Sequence, residues 1–173
     1  HYPNLDGLLF LYRDIWPQVR RDLPAAHLTV VGRGAREEMA RVSPETLAAM
    51  EADPSVELAG FVPDLPAALD THAVMAAPLR LGGGVRNKVI ESMAAGLPVV
   101  TTSRGAEGLA VQSERELLIA DAPEEIARQL VRVLTDPELA ARLGEAGRSL
   151  AAREHDNDAL AARLEQALLQ VAG

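Results

Sequence analysis

The sequence predicts an α/β domain built on a parallel sheet with helices on both faces. Three observations lead there. Short apolar runs alternate with longer helix-forming runs from Leu8 to Leu134, which is the pattern of a parallel sheet covered on both sides. The short runs are apolar throughout, as in H-L-T-V-V at 27–31 and P-V-V-T at 98–101, and this is how strands buried on both faces read. Glycine-bearing loops at Gly32, Gly60 and Gly82 follow apolar strands or near-strands, and ligands of such sheets sit outside the carboxyl ends of the strands.

Each element has a local reason. Residues 1–23 are a lead-in and a helix, with Asn4 as N-cap, a stripe through Leu8, Leu9, Leu11, Tyr12, Ile15 and Val19, and Pro24 as the stop. The strand at 27–31 runs into Gly32-Arg33-Gly34. A dinucleotide fingerprint would need a third glycine where Glu37 stands, so that motif fails. Residues 35–52 are helical and restart at Ser43-Pro44, with Ser43 as N-cap and Pro44 at the first helical position. A short strand at 56–58, a tight connection at 60–63 and a short helix at 64–71 follow. A strand at 73–77 leads to a helix at 86–95 and a strand at 98–101. Next come a loop containing Gly105 and Gly108, a strand at 117–120, and helices to 134, to about 153 and over 158–171. No repeat, low-complexity tract or linker interrupts the 173 residues, which read as one domain, 1–173.

Composition excludes several classes. A net charge of −8 leaves no basic stripe for nucleic acid, and 3% aromatic residues leave few base-stacking platforms. No apolar run reaches the roughly 18 residues of a membrane span. With no cysteine there is no disulfide framework and no thiolate metal site, which fits a reducing compartment such as the cytoplasm. Asp64 and Asp70 read as exposed acids rather than metal ligands, and His27 and His72 as surface or structural residues.

The chemistry concentrates at 78–100, P-L-R-L-G-G-G-V-R-N-K-V-I-E-S-M-A-A-G-L-P-V-V. Gly82, Gly83 and Gly84 let the backbone approach a ligand closely. The helix behind them points unpaired N–H groups and a positive dipole end at the same place, an anion site that suits a nucleotide diphosphate. At 3.6 residues per turn Val89, Ile90, Met93 and Ala94 share one face, and Asn87, Lys88 and Glu91 another. A phosphate takes the cation and the amides, and a ribose takes the carboxylate. The bland alternative is a solvated Lys88–Glu91 pair at i, i+3, worth a few tenths of a kcal/mol.

Read together, G-F-V-P-D-L at 60–65, the 78–102 stretch and G-A-E-G-L at 105–109 resemble the C-terminal, donor-binding half of a GT-B glycosyltransferase of the "glycosyl transferases group 1" type. The resemblance runs over nearly the whole chain. It implies a Rossmann-like domain facing a second, N-terminal domain of the same enzyme across a cleft. It also implies transfer of a sugar from a nucleoside-diphosphate sugar to an acceptor with retention at the anomeric carbon, using no cofactor and no metal. Glu91 matches the glutamate that grips the ribose hydroxyls. Asn87 and Lys88 sit where helix amides meet the diphosphate. The backbone at Val62 matches the position that reads the base, and Leu65 packs beside it. Arg86 is a second candidate phosphate cation, or turns back into the domain.

Three departures accompany the resemblance. The position of a second glutamate, used by many relatives on the transferred sugar, is Gly83. The arginine and lysine that relatives carry near the domain start are absent, and Lys88 is the only lysine. Where relatives place an aromatic pair, this chain has His155-Asp156-Asn157. The family's first strand, central in the order 3-2-1-4-5-6, is not found ahead of His1, so either the sequence omits residues or something else fills that gap in the sheet. A partner strand in that slot would make a dimer. The isolated fragment is expected to bind nucleotide weakly and turn over nothing. Two rivals share the sequence features: a nucleotide-sugar epimerase of the same fold, and a non-catalytic module that binds nucleotide or a protein partner.

Overall fold

The structure, a computed structural model, describes residues 2–82 and 86–155. Gly83, Gly84 and the helix expected over 158–171 lie outside the described residues. The elements run α1 (Tyr2–Phe10), a π-helical turn (Leu11–Ile15), α2 (Trp16–Asp22), β1 (Leu28–Val31), α3 (Ala35–Val42), α4 (Pro44–Ala52), β2 (Val56–Gly60) and α5 (Leu65–Leu69). They continue with β3 (Met75–Ala77), α6 (Asn87–Ala94), β4 (Val99–Thr101), α7 (Ser103–Ala106), β5 (Leu118–Ile119), α8 (Pro123–Thr135) and α9 (Pro137–His155). Every described strand ladder is parallel.

Among the described residues the strands form two sheets, β1–β2 and β3–β4–β5. No ladder joins β1 to β3 among the described residues. Burial agrees. Val99, Val100 and Thr101 on β4, paired on both edges, are fully buried. The strand β1, expected to be fully buried, is half-buried at Leu28, Thr29 and Val30, and Val31 is exposed. The apolar run is right for an interior strand, but among the described residues only β2 pairs with it.

Helices do cover both faces. Successive side chains on a strand point to opposite sides, and Val100 and Leu118 join one core cluster while Val99 and Leu117 join another. The first cluster adds Ile15, Trp16 and Val19 from the N-terminal helices and Ile126, Leu130 and Leu143 from α8 and α9. The second adds Val89 and Met93 of α6 and Leu150 of α9. A third, with Leu5, Met39, Leu47 and Met50, packs α1, α3 and α4 around β2.

Four local expectations change. Asn4 is not a cap, because the helix already begins at Tyr2. The long first helix passes through a π turn in which the Trp16 N–H donates to the Leu11 carbonyl. Pro17 supplies the reason: without an N–H it cannot close the next i→i−4 bond. Ser43 does sit at the N-cap of α4, but its hydroxyl does not cap. It accepts from Arg13 Nη2 (2.6 Å) and bonds the Thr46 hydroxyl (2.9 Å), so it locks α4 to the first helix. The loop at Gly105 forms one helical turn, capped by the Thr102 side chain accepting from the Gly105 N–H at 3.0 Å.

A polar relay also fixes α2 to β2. The Trp16 indole N–H donates to Ser55 Oγ (3.1 Å), and Ser55 Oγ donates to Asp53 Oδ1 (2.6 Å). Trp16 and Ser55 are both buried. Ser55→Ala strands the indole N–H without an acceptor, at a cost of about 2 kcal/mol. Thermal melting is expected to show a fall of about 4–8 °C.

Candidate functional site

The site is assembled from the loop after β3, the first turns of α6 and the first turn of α1. Gly82 lies at φ +93 against Pro3, and a Cβ there would stand 3.1 Å from the Pro3 ring. The backbone angle therefore calls for glycine, and the space beside Pro3 is tight for any side chain. Behind the loop Arg86, the N-cap residue of α6, is 7% exposed. Its Nη2 donates to the Gly82 carbonyl (2.8 Å), and Nε and Nη2 donate to the Arg104 carbonyl at 3.3 and 3.2 Å. Glu107 stands 3.9 Å from the same guanidinium and pairs with Arg104 at 2.6 Å. A planar fork with five donors suits this stapling of two loops.

Lys88 is half-buried, and its Nζ donates to Asn4 Oδ1 at 2.6 Å. Burial, and after it the Arg86 charge, pushes the ammonium below the ordinary lysine value. Burial disfavours the charged form, and so does a nearby like charge. The bland alternative, a Lys88–Glu91 pair, does not form; Glu91 is exposed on α6 beside exposed Asn87. The buried face of α6 consists of Val89, Ser92 and Met93, with Ile90 half-buried. Ala94, expected on that face, is exposed, and Ser92 replaces it by donating its hydroxyl to the Lys88 carbonyl at 2.8 Å.

The structure thus brings Gly82, Arg86 and Lys88 together, with Glu91 one turn further along the open side of α6. Val62 and Leu65 are half-buried and lie at the carboxyl end of β2, Leu65 opening α5. Asp64 caps that helix by accepting from the Ala67 N–H at 3.0 Å. Among the described residues no group of three or more acids or histidines is placed to hold a metal ion. No described helix is long and apolar enough to cross a membrane.

Sequence reasoning missed three contributors. Asn4, a cap by sequence, meets Lys88 across 84 positions. Asp6 takes Arg80 in a two-pronged pair (3.0 and 2.6 Å), which ties α1 to the loop after β3. Arg33 stacks on Phe61, 4.0 Å from the ring centroid, where the Gly32 N–H donates to the Gly60 carbonyl at 2.7 Å. The glycines at 32 and 60 marked both of these loops; nothing local pointed from Asn4 to Lys88 or from Asp6 to Arg80.

Parallel strands, helices on both faces and a glycine loop leading into a helix define a Rossmann-like α/β domain of the kind that makes one half of a GT-B fold. The chain belongs to the family described as "Glycosyl transferases group 1", matched over residues 1–136. Solved structures agree on the fold. One is Anabaena HepE in complex with UDP and glucose (TM-score 0.75, 16% identity, 89% of this chain and 43% of that one). Another is the C-terminal domain of a glycosyl transferase group 1 family protein, LpcC, from Francisella tularensis (TM-score 0.60, 15% identity, 81% of this chain and 92% of that one). By sequence the chain is 27% identical over 134 residues to an "Uncharacterized 44.6 kDa protein in cps region" of Klebsiella pneumoniae, covering 74% of this chain. It spans 33% of that protein's length.

Proposed function

We propose that residues 1–173 act as the nucleotide-sugar-binding half of a retaining glycosyltransferase. The observation that carries this reading is the stapled glycine loop with Lys88 half-buried beside it and Glu91 open on the same helix. In this reading the diphosphate lies over the Gly82 loop and the N-terminal amides of α6. Lys88 neutralises it, and Glu91 accepts from the ribose hydroxyls. Val62 reads the base through its backbone, and Leu65 packs beside it. Arg86 shapes the loop from behind rather than touching the ligand, since its fork is turned to the Gly82 and Arg104 carbonyls. As the sugar leaves, charge develops on the departing diphosphate, and preorganised amides and a cation in a partly dry site stabilise it. No metal or cofactor is needed for that step. HepE, seen with UDP and with UDP-glucose, supports the donor class.

The reading includes an N-terminal partner domain that supplies the acceptor site, and a cytoplasmic location, where nucleotide sugars are at hand. The reading also includes a strand from a second copy beside β1 or β3, which share no ladder among the described residues, and light scattering of the full-length protein tests that dimer.

The main test is calorimetry of the full-length protein with UDP-, GDP- and ADP-sugars across pH. One nucleotide class is expected to bind. Lys88 is held below 10.5 in the folded protein, so the cation is lost earlier on the alkaline side than for a free lysine. Affinity is therefore expected to fall as pH rises through that lowered value, and bound phosphate, favouring the charged form, shifts the fall upward. No binding of any nucleotide sugar, or binding indifferent to alkaline pH, would overturn the reading.

A further inference from the structure

We propose that Asn4 is a positioning residue for the diphosphate cation, its neutral side-chain oxygen holding the Lys88 ammonium at the glycine loop without cancelling its charge. This rests on the reading of Lys88 as that cation. The first turns of α1 lie against the loop after β3, on the side where Lys88 stands. Three contacts dock them there. Pro3 lies against Gly82, Gly7 lies under the Pro78 carbonyl, and Asp6 holds Arg80 with both oxygens. Between these anchors Asn4 Oδ1 meets Lys88 Nζ at 2.6 Å.

The chemistry of the pair fits a held cation. An ammonium has three N–H donors, and Asn4 uses one. Two remain for phosphate oxygens, so ligand binding need not break the contact. A lysine stem is flexible, and without an acceptor the charge samples many positions. An amide oxygen orients the ammonium by hydrogen bonding while leaving its net charge intact. A carboxylate in the same place would orient it equally well and neutralise it. The neighbouring acid, Asp6, is already taken by the Arg80 fork.

The two roles of Asn4, tether and charge-sparing positioner, give opposite results for Asn4→Asp. Titrations use the full-length protein with UDP, GDP and the corresponding nucleosides, and Lys88→Ala as reference. Asn4→Ala is expected to weaken binding of the cognate diphosphate by about threefold to tenfold. Asn4→Asp is expected to weaken it further, by about tenfold or more, although it keeps the acceptor. Nucleoside binding is expected to stay unchanged in both. Asn4 is exposed, and melting of each variant checks that the fold is intact. Wild-type affinity in Asn4→Asp, or in both Asn4 variants while Lys88→Ala is weakened, would overturn the proposal and leave the Lys88 reading standing. Wild-type affinity in Lys88→Ala would remove that reading and this proposal with it.

Discussion

Glu91→Ala in the full-length enzyme is expected to raise KM for the nucleotide-sugar donor by about two orders of magnitude and to leave kcat within several-fold. In the proposed pose the carboxylate accepts from two ribose hydroxyls. Each bond to a charged group contributes about 1.5–3 kcal/mol when its loss leaves a partner unpaired. The site is open on this side, and water re-solvates the freed hydroxyls, so a combined loss of about 3 kcal/mol is the reasonable figure, or about a hundredfold. The ribose is remote from the breaking bond, and it is held alike in ground and transition states. Loss of such uniform binding appears in KM. Glu91→Gln, which keeps an acceptor but not the charge, should fall between. Folding should not suffer, because Glu91 is exposed and alanine is the better helix former. Donor kinetics with thermal melting on both variants decide the matter: an unchanged KM would remove Glu91 from the site, and a large fall in Tm would recast it as structural.

Gly144→Ala is expected to be a clearly destabilising substitution in α9. An added Cβ on α9 would land on the carbonyl oxygen of Gly96, well inside contact distance. That carbonyl cannot easily retreat. Gly96 sits at φ +77 in the turn that ends α6, where its N–H donates to the Met93 carbonyl (2.8 Å) and the Leu97 N–H donates to the Ser92 carbonyl (2.9 Å). This pair of bonds is the Schellman arrangement, which needs the left-handed residue. Arg148 of α9 adds a bond to the Ala95 carbonyl at 2.7 Å. Two effects oppose each other. Alanine gains about 1 kcal/mol of helix propensity over glycine. Forcing a methyl into a filled contact costs about 1–3 kcal/mol, occasionally more. Because the neighbour is backbone fixed by two hydrogen bonds, the upper end applies, and a net loss of about 2 kcal/mol should lower Tm by about 4–8 °C. Since α9 packs on the helix that carries Lys88 and Glu91, nucleotide affinity should weaken too. A variant as stable as the parent would show that α9 is free to move and that its seat on α6 is loose.

Much of this was legible in advance, for identifiable reasons. The restart at Pro44 shows because proline at a first helical position loses nothing. Lys88 and Glu91 were placed together because helical periodicity alone puts residues three apart side by side. The same rule misjudged Ala94 and Ser92, because periodicity defines a face but not the angle at which neighbouring elements press on it. The half-exposure of β1 was hidden for a related reason: apolar content marks a strand as fit for the interior, while burial depends on what pairs with its other edge.

From its own residues, then, the chain dictated alternating strands and helices, glycines where the backbone must turn or come close, and a polar flank on α6 holding a cation and a carboxylate. These follow from spacing along a few turns of backbone, and spacing can be read. Packing alone decided that Arg86 turns inward to staple two loops, that Asn4 rather than Glu91 receives Lys88, and that Gly144 must stay bare against Gly96. Those contacts join residues up to 84 positions apart, and their geometry exists only once the core has set the helices against one another.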